Sequence, residues 1–491
     1  AMAPNQNSSH IYTHGFSIIF LFVLLAIVAS LLHYSPLIDE TSIIYAGKWS
    51  RSHIDEQAAG KLDGTNEYFL SCPFFTENQT CSRTLSKRRR FKDGETTCPN
   101  YFRWIYEDLK PWRDSRITKE MLDAGKEQAT FRMVILDGRV YVDFYQRSFE
   151  TRNTFTLWGI VQLLRKYPGM LPDVEILFNS DDVPHIVAKT YQNGTIPPPL
   201  FSYCTDSNSL DIVFPGFSFW GWVEANIRPW NQLATNFANA NNQTKWVDRK
   251  PFAFWRGNST VAGIRDLLMA CNVSERAEWK ARLFHLDWDQ ERIHEYNTTN
   301  LLSQCTYRYK VYVEGYGWSG SRKYIHACDS PTLVVNPKFV DFFSRGMQPL
   351  RHYWPIKESS ICSSVKFAVN WGNKYPDKAQ DIGKAGSSFM LNEVKMDYVY
   401  DFAYHLLHEY AKLQAFKPKV PKGAQEVCAE TLACSAKGIR REFFSQSSVT
   451  RPSSSPPCTF PPAYKPNELA VHKREMQRSI QLVEDWEDKD L

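Results

Sequence analysis

Short apolar segments alternate with longer amphipathic ones from about residue 101 to residue 416, and this alternation constrains the fold more than any other feature. Strands separated by helices form parallel sheets through crossover connections. An Asp-Gly pair at 137–138 predicts a β-hairpin over residues 131–145. The other predicted strands are 174–179, 251–255, 309–314 and 332–335, and the predicted helices are 155–167, 261–271, 322–328, 365–392 and 395–416. We therefore predict an α/β protein with two Rossmann-like domains, 101–245 and 246–416, that face a cleft.

Composition excludes several classes of protein. The 491 residues are 43% hydrophobic and 23% charged, which supports a packed core rather than a disordered chain. The net charge of +5 is too weak to indicate a nucleic-acid partner. A mean hydropathy of -0.42 excludes a polytopic membrane protein. The 15 Trp, 24 Tyr and 31 Phe are typical of a large aromatic core or of sites for amphipathic ligands.

An uncharged apolar run occupies residues 16–32. As a helix it would be about 26 Å long, close to the hydrocarbon thickness of about 30 Å in a bilayer. No clear cleavage site follows, so we predict an uncleaved type II signal-anchor with residues 1–15 as a cytosolic tail. Residues 33–100 are then a luminal stem that contains cysteines. The Pro- and Ser-rich segment 417–491 is predicted to be a linker that wraps over the surface and ends in a charged segment compatible with a helix.

Cysteines and glycosylation sequons both indicate a lumen. None of the 11 cysteines forms a CxxC pair, so disulfides with one cysteine left over are favoured over metal ligation. Six sequons follow the apolar run, at Asn78, Asn193, Asn242, Asn258, Asn272 and Asn297.

Three loops at predicted strand ends carry the residues best suited to chemistry, because open α/β sheets bind ligands at the carboxyl ends of their strands. The first is Gly-Tyr-Gly-Trp-Ser-Gly at 315–320, a GxGxxG pattern between a strand and a helix. Such glycines let backbone amides approach a diphosphate, although a plain glycine-rich turn would have the same sequence. The hydroxyls of Ser319 and Ser321 and the cations of Arg322 and Lys323 add donors.

The other two loops offer a cation and a pair of acids. Trp255-Arg256-Gly257-Asn258 ends a strand, and Arg256 is either a bidentate phosphate ligand or a surface arginine. Asp181 and Asp182 end a strand of the other half. A carboxylate that faces a diphosphate across a cleft is a natural general base for a hydroxyl nucleophile, and solvated or helix-capping acids are the alternative.

Two further patterns are weaker. Asp287 and Asp289 spell DxD, a metal–diphosphate motif in some transferases, but they lie in a polar, helix-like stretch that argues against metal binding. His405 and His408 are three residues apart in a helical run, and packing or exposure explains them better than metal ligation.

Five ordered segments resemble a known family, the Rumi-type protein O-glucosyltransferases and capsule-associated xylosyltransferases of glycosyltransferase family 90. The resemblance covers about residues 105–412, and the apolar run and the Cys- and Pro-rich tail look like its plant branch. The segments are IYEDLKPWR at 105–113, FNSDDVP at 178–184, DIVFPGFSFWGW at 211–222, FAFWRGN at 252–258 and CTYRYKVYVEGYGWSGSRKYIHACDS at 305–330.

The resemblance implies a GT-B-like fold, a UDP-sugar donor, inversion at the anomeric carbon and no catalytic metal or other cofactor. Asp182 matches the family's catalytic base and Arg256 its diphosphate-binding arginine. Ser319, Ser321 and Lys323 match the donor-site loop, which a disulfide between Cys305 and Cys328 would brace. We expect Gly257, Asn258, Gly317 and Arg322 to line the same donor site, and Asp181 and Trp220 to line the acceptor side. Ser321 stands where animal members have an arginine, with Arg322 one residue later, so the choice between glucose and xylose stays open.

The sequence therefore predicts an inverting glycosyltransferase of the Golgi membrane, or alternatively of the endoplasmic reticulum, with a luminal catalytic domain. It would move glucose or xylose from a UDP-sugar to a hydroxyl of a glycan or protein acceptor. Two alternatives stay open. A luminal NAD(P)-binding oxidoreductase would also use GxGxxG, and a non-catalytic sugar-binding protein would keep the cleft without needing Asp182.

Overall fold

The computed structural model describes Tyr68, Leu70, Cys72, Cys81 and residues 96–490, except for 193, 276, 295 and 297–299. The predicted cytosolic tail, the signal-anchor and most of the stem lie outside the described residues, as do the sequon asparagines 78, 193 and 297. Among the residues that are described, no helix has the length and apolar character needed to cross a membrane. The described residues belong to one compact unit that begins at Asn66.

The described strands form two sheets. They are β1 Phe131–Leu136, β2 Arg139–Phe144, β3 Val174–Phe178, β4 Leu200–Ser202, β5 Ile212–Val213, β6 Lys250–Gly257, β7 Ala281–His285, β8 Tyr307–Tyr312, β9 Thr332–Val335, β10 Trp354–Ile356 and β11 Gln425–Val427.

Helices cover the sheets and connect their strands. They are α1 Trp104–Asp108, α2 Lys119–Ala124, α3 Arg152–Lys166, α4 Trp230–Gln243, α5 Gly263–Met269, α6 Trp288–Ile293, α7 Arg322–His326, α8 Ile361–Lys374, α9 Pro376–Ser388, α10 Met396–Leu413, α11 Ala429–Ala433, α12 Gly438–Gln446 and α13 Pro466–Asp490.

The first sheet has the order β11-β2-β1-β3-β4-β5 and mixes both strand directions. The predicted hairpin is confirmed, because Leu136 pairs with Arg139 and the two loop residues Asp137 and Gly138 have φ values of 50° and 72°. Positive φ at both positions is the signature of a type I′ turn. Strands β3, β4 and β5 are parallel to one another, and the short strands β4 and β5 were not predicted. The first sheet is therefore mixed, because the predicted hairpin turns the chain back and leaves β1 antiparallel to β3.

The second sheet is entirely parallel and has the order β10-β9-β8-β6-β7. The chain runs from β6 outward to β7 and then crosses back to place β8 on the other side of β6. This is the 2-1-3-4-5 order of doubly wound sheets, whose switch point lies between the first and third strands. The two sheets together fit a Rossmann-like α/β fold, and the switch point between β6 and β8 predicts where a ligand binds.

Buried aromatic side chains fill much of the interior, in two main hydrophobic clusters, one per sheet. Five of the tryptophans are less than 2% exposed: Trp112, Trp158, Trp220, Trp230 and Trp246. These buried rings therefore stabilise the core.

Segment 417–491 is more than the predicted linker. Strand β11 extends the first sheet by pairing with β2, and helix α13 packs on the second hydrophobic cluster through Val483 and Trp486. The ring of Trp486 stacks on Trp371 with centroids 6.1 Å apart. Strand β11 precedes the Pro- and Ser-rich stretch 451–465 and was not predicted, whereas α13 follows that stretch, in the charged terminal segment that the sequence allowed to be helical.

Five disulfides cross-link the chain: Cys72–Cys434, Cys81–Cys428, Cys98–Cys458, Cys271–Cys362 and Cys305–Cys328. Cys204 is the one cysteine left over, and it is buried. The prediction of paired disulfides with one free thiol is confirmed, and disulfides of this number indicate an oxidising compartment. Three of the five join the stem to segment 417–491.

Replacement of Trp486 by alanine should destabilise the protein by about 3 kcal/mol, the cost typical of removing a large ring from a core. The change would be measured by thermal or denaturant unfolding. Leu482→Ala on the same helix is the matched control, because Leu482 is 43% exposed and should cost little. Equal stability of the Trp486→Ala variant and the wild type would show that α13 is not part of the core.

Candidate active site

The switch point of the second sheet brings two of the predicted loops together. Arg265 on α5 donates from Nε to the carbonyl oxygen of Glu314 and from Nη1 to that of Asn258, both at 2.8 Å. It thereby joins the loop that follows β6 to the loop that follows β8. Arg265 was not predicted, although its place in the first turn of the helix after Trp-Arg-Gly-Asn could have suggested it.

The third predicted loop, from the first sheet, touches the glycine loop directly. A Cβ atom built on Gly317 would lie only 2.0 Å from the carbonyl oxygen of Asp182. The amide of Trp318 donates to that same oxygen at 3.2 Å. Only glycine therefore fits at position 317. The loop with Asp181 and Asp182, which follows β3 of the first sheet, packs directly against the glycine loop of the second sheet.

The two neighbouring acids have different partners. Arg152 contacts both carboxylate oxygens of Asp182, with Nη1–Oδ1 at 2.8 Å and Nη2–Oδ2 at 3.4 Å. The side chain of Asp182 is 39% exposed, so a ligand can still reach it. Asp181 instead pairs with Nε2 of His185 at 3.0 Å. Their hydrogen bond lowers the pKa of Asp181 and raises that of His185.

The basic residues at the start of α7 are buried. Lys323 is 2% exposed and donates to Oγ of Ser218 at 2.6 Å. Burial lowers the pKa of Lys323 to about 7. The guanidinium of Arg322 lies 4.2 Å from the centroid of the Tyr312 ring, and its Nε and Nη2 have no hydrogen-bond partner within the described part of the chain. Two basic side chains are thus buried beside the glycine loop, where water solvates them poorly.

The remaining predicted donor residues lie at the end of β6 and in the glycine loop. The guanidinium of Arg256 lies 5.6 Å from the ring centroid of Phe284. Gly257 is required for packing, because a Cβ atom there would lie 2.6 Å from the Trp255 ring. Asn258 accepts from the amide and hydroxyl of Thr260 at 2.9 and 2.8 Å. The hydroxyl oxygens of Ser319 and Ser321 are 2.7 Å apart, and the Cys305–Cys328 disulfide flanks this loop and α7.

Trp220 does not line the cleft surface. It is 1% exposed, and its Nε1 donates to the hydroxyl of Tyr400 at 2.9 Å. A Cβ atom on Gly159 would lie 2.5 Å from its ring, so the indole fills the space beside that glycine in the first core. The expectation that Trp220 contributes to an acceptor surface is therefore corrected.

The weaker patterns have structural roles. Asp287 caps α6 by accepting from the amides of Asp289 and Gln290 at 2.9 and 3.2 Å, and Asp289 pairs with Arg292 at 2.6 Å. Nε2 of His405 lies 2.8 Å from the carbonyl oxygen of Cys458, and Nε2 of His408 lies 2.9 Å from that of Met170.

One group of potential metal ligands occurs in the described part of the chain, Cys98, His405 and Cys458. The two thiols of this group are joined in a disulfide, which removes them as thiolate ligands.

Gly317→Ala should disrupt the site, because its new methyl group meets main-chain atoms of Asp182 that no rotamer change can move. We expect a destabilisation of about 1–3 kcal/mol, measured by thermal unfolding. We also expect weaker binding of any ligand that contacts both loops, measured by calorimetry. Gly263→Ala is the control, because no atom lies within 4 Å of the position that its methyl group would take. Wild-type stability and binding in the Gly317→Ala variant would contradict the contact.

Known proteins resemble this chain over the region that contains the site. A family model described as Glycosyl transferase family 90 matches residues 93–487. Protein O-glucosyltransferase 1 of Bos taurus is 24% identical over 351 residues, which are 68% of this chain and 86% of that protein. Protein O-glucosyltransferase 2 of Danio rerio is 24% identical over 384 residues, 76% and 74% of the two chains. O-glucosyltransferase rumi of Drosophila melanogaster is 22% identical over 340 residues, 66% and 80%.

The family model covers all three loops of the site as well as both sheets. The resemblance seen in the sequence motifs is thereby confirmed. The chain belongs to glycosyl transferase family 90, and its relatives there include the Rumi-type protein O-glucosyltransferases.

Proposed function

We propose that the chain is an inverting glycosyltransferase that moves glucose or xylose from a UDP-sugar to a hydroxyl of a glycan or protein acceptor. The observation that supports this most is the contact of Asp182 with Gly317. It puts an accessible carboxylate of the first sheet beside the switch-point loops of the second sheet. A general base and a diphosphate site would then face each other across a GT-B-like cleft between two Rossmann-like halves.

The donor would bind at the switch point of the second sheet. Arg256, Arg322 and Lys323 would offset the charge that develops on the leaving diphosphate, without a catalytic metal. Asn258, Ser319 and Ser321 would add polar contacts. Gly257 and Gly317 would allow the close packing that these loops need. The poor solvation of Arg322 and Lys323 supports this role, because charges interact more strongly where water is excluded.

The reaction would be a single displacement. Asp182 would take the proton from the acceptor hydroxyl while the hydroxyl oxygen attacks the anomeric carbon from the side opposite the diphosphate. The bond between that carbon and the diphosphate oxygen breaks, and UDP leaves with the electron pair. Asp181 would line the acceptor side next to the base.

The oxidoreductase alternative loses its main support. Gly317, the middle glycine of GxGxxG, is explained by its contact with Asp182 rather than by a dinucleotide. The relatives are named as O-glucosyltransferases, which supports sugar transfer instead. A non-catalytic sugar-binding protein differs from our proposal in tolerating the loss of Asp182.

The five disulfides support a luminal catalytic domain. We propose that it acts in the Golgi, held to the membrane by the predicted signal-anchor at 16–32. The endoplasmic reticulum is the alternative.

Asp182→Asn should reduce turnover of UDP-glucose or UDP-xylose by about 10²–10⁴-fold, the usual contribution of general-base catalysis. UDP release from a UDP-sugar panel measures turnover, and calorimetry shows whether UDP still binds. Asp181→Asn is the matched control on the neighbouring acid and should lose much less. A well-folded Asp182→Asn variant with wild-type turnover would show that Asp182 is not the general base.

UDP binding should depend on pH through Lys323. Because burial lowers the pKa of Lys323 to about 7 in the free protein, its amine is neutral above that pH. A bound diphosphate favours the charged form, so binding should take up a proton above pH 7. The UDP Kd should then rise from pH 7 to pH 9 by up to about tenfold per pH unit.

Calorimetry in two buffers with different ionisation heats measures this proton uptake. Lys323→Met should bind UDP more weakly and lose the pH dependence, whereas Lys419→Met, at an exposed lysine, should match the wild type. A wild-type Kd that stays constant from pH 7 to pH 9 would contradict the role of Lys323.

A further inference from the structure

Arg152 is a buried cation beside the acids of the site, and no sequence motif pointed to it. It is the first residue of α3 and is 5% exposed. Its guanidinium carbon lies 4.9 Å from the ring centroid of Phe149 and 5.6 Å from that of Phe217. Two aromatic contacts and the helix backbone therefore restrict how this guanidinium can move.

The guanidinium connects two carboxylates. Its Nη1 and Nη2 contact the oxygens of Asp182, and Nη1 also lies 3.4 Å from the carbonyl oxygen of Ser180. Its Nε faces Oε2 of Glu150 at 3.7 Å, which is an ion pair without a hydrogen bond. Although burial acts to lower it, the carboxylates of Asp182 and Glu150 raise the pKa of Arg152, so this cation stays charged.

Glu150 is itself held in place. Nε1 of Trp222 donates to its Oε2 at 2.9 Å. The next residue, Thr151, donates from its amide and its hydroxyl to the carboxylate of Glu224, both at 3.0 Å. Burial, with the nearby Glu224, raises the pKa of Glu150 to about 7. These hydrogen bonds of Glu150 and Thr151 therefore hold the segment just before α3, and with it Arg152, in place.

A general base works best when its carboxylate is held in one orientation, and contacts with Arg152 can provide this for the partly exposed Asp182. A free carboxylate samples several rotamers, whereas proton transfer needs one oxygen within hydrogen-bond reach of the reacting hydroxyl. Arg152 binds Oδ1 of Asp182 more closely than Oδ2, by 2.8 against 3.4 Å. The two contacts together restrict rotation of the carboxylate, and the longer one leaves Oδ2 less tightly bound and so better placed to accept a proton.

We propose that Arg152 is a positioning residue that orients the Asp182 carboxylate for proton abstraction, with Glu150 anchoring Arg152 from its other side. The inference rests on the proposed function of Asp182 as the base. It assigns Arg152 no contact with the donor or the acceptor.

Arg152→Ala is the first test, with release of UDP from a UDP-sugar as the readout. We expect kcat to fall about 10²-fold, toward the level of Asp182→Asn, while the donor KM changes less than about twofold. Guanidinium ion at millimolar concentration should restore part of kcat, because it can refill the space and pair with Asp182. Urea, similar in shape but uncharged, should not. Arg152→Lys should lie between Arg152→Ala and the wild type, because lysine keeps the charge without the fork.

Arg165→Ala is the matched control, because Arg165 is on the same helix and contacts Ser448 rather than the acids. It should leave kcat and donor KM close to wild type. If Arg152→Ala fails to fold, the comparison of Arg152→Lys with the wild type decides, and a wild-type kcat there would overturn the proposal. A raised donor KM with unchanged kcat, or rescue by urea as effective as rescue by guanidinium, would also overturn it. Wild-type turnover in Arg152→Ala together with an inactive Asp182→Asn would reject the role of Arg152 alone, whereas an active Asp182→Asn would reject the proposed function itself.

Discussion

The main-chain contact between Gly317 and Asp182 is the constraint on which the rest of the site depends. Two chain segments from different sheets approach so closely that a single methyl group would lie 2.0 Å from a carbonyl oxygen. The amide of Trp318 adds a hydrogen bond at the same oxygen. Because a main-chain contact cannot be adjusted by side-chain rotation, it fixes the distance between the proposed base and the proposed diphosphate site. Arg265 then joins the loops around it, through the carbonyl oxygens of Glu314 and Asn258.

Charges are arranged differently on the two sides of this contact. On the side of the first sheet, Asp181 and Asp182 each have a cationic partner, in His185 and Arg152. On the side of the second sheet, Arg322 and Lys323 are buried, and no carboxylate of the described residues lies in direct ion-pair contact with either. Asp341 acts on both cations, and Glu314 acts on Arg322, only at longer range. Burial of incompletely paired cations costs free energy, and a bound anionic ligand would offset part of that cost.

Sequence periodicity predicted the strands that end in the site, because β3, β6 and β8 are short apolar runs bounded by polar loops. It did not predict that β1 lies antiparallel to β3, or that β11 joins the first sheet from beyond residue 417, since both depend on long-range pairing. Trp220 was misplaced for a related reason. The sequence shows that a tryptophan lies near the site, but it does not show whether the ring faces the cleft or fills the space beside Gly159. Arg152 and Arg265 were missed because their partners are distant in sequence or are main-chain atoms.

The central claim is that one carboxylate, Asp182, activates a hydroxyl for a single in-line displacement opposite the diphosphate. Proton NMR of the sugar first released from UDP-glucose, with water as the acceptor, tests it most directly. The sugar is α-linked in this donor, so a single displacement should give the β anomer before mutarotation mixes the two forms. Initial release of the α anomer would contradict the account, because retention requires either a double displacement through a covalent intermediate or attack from the same face as the leaving diphosphate.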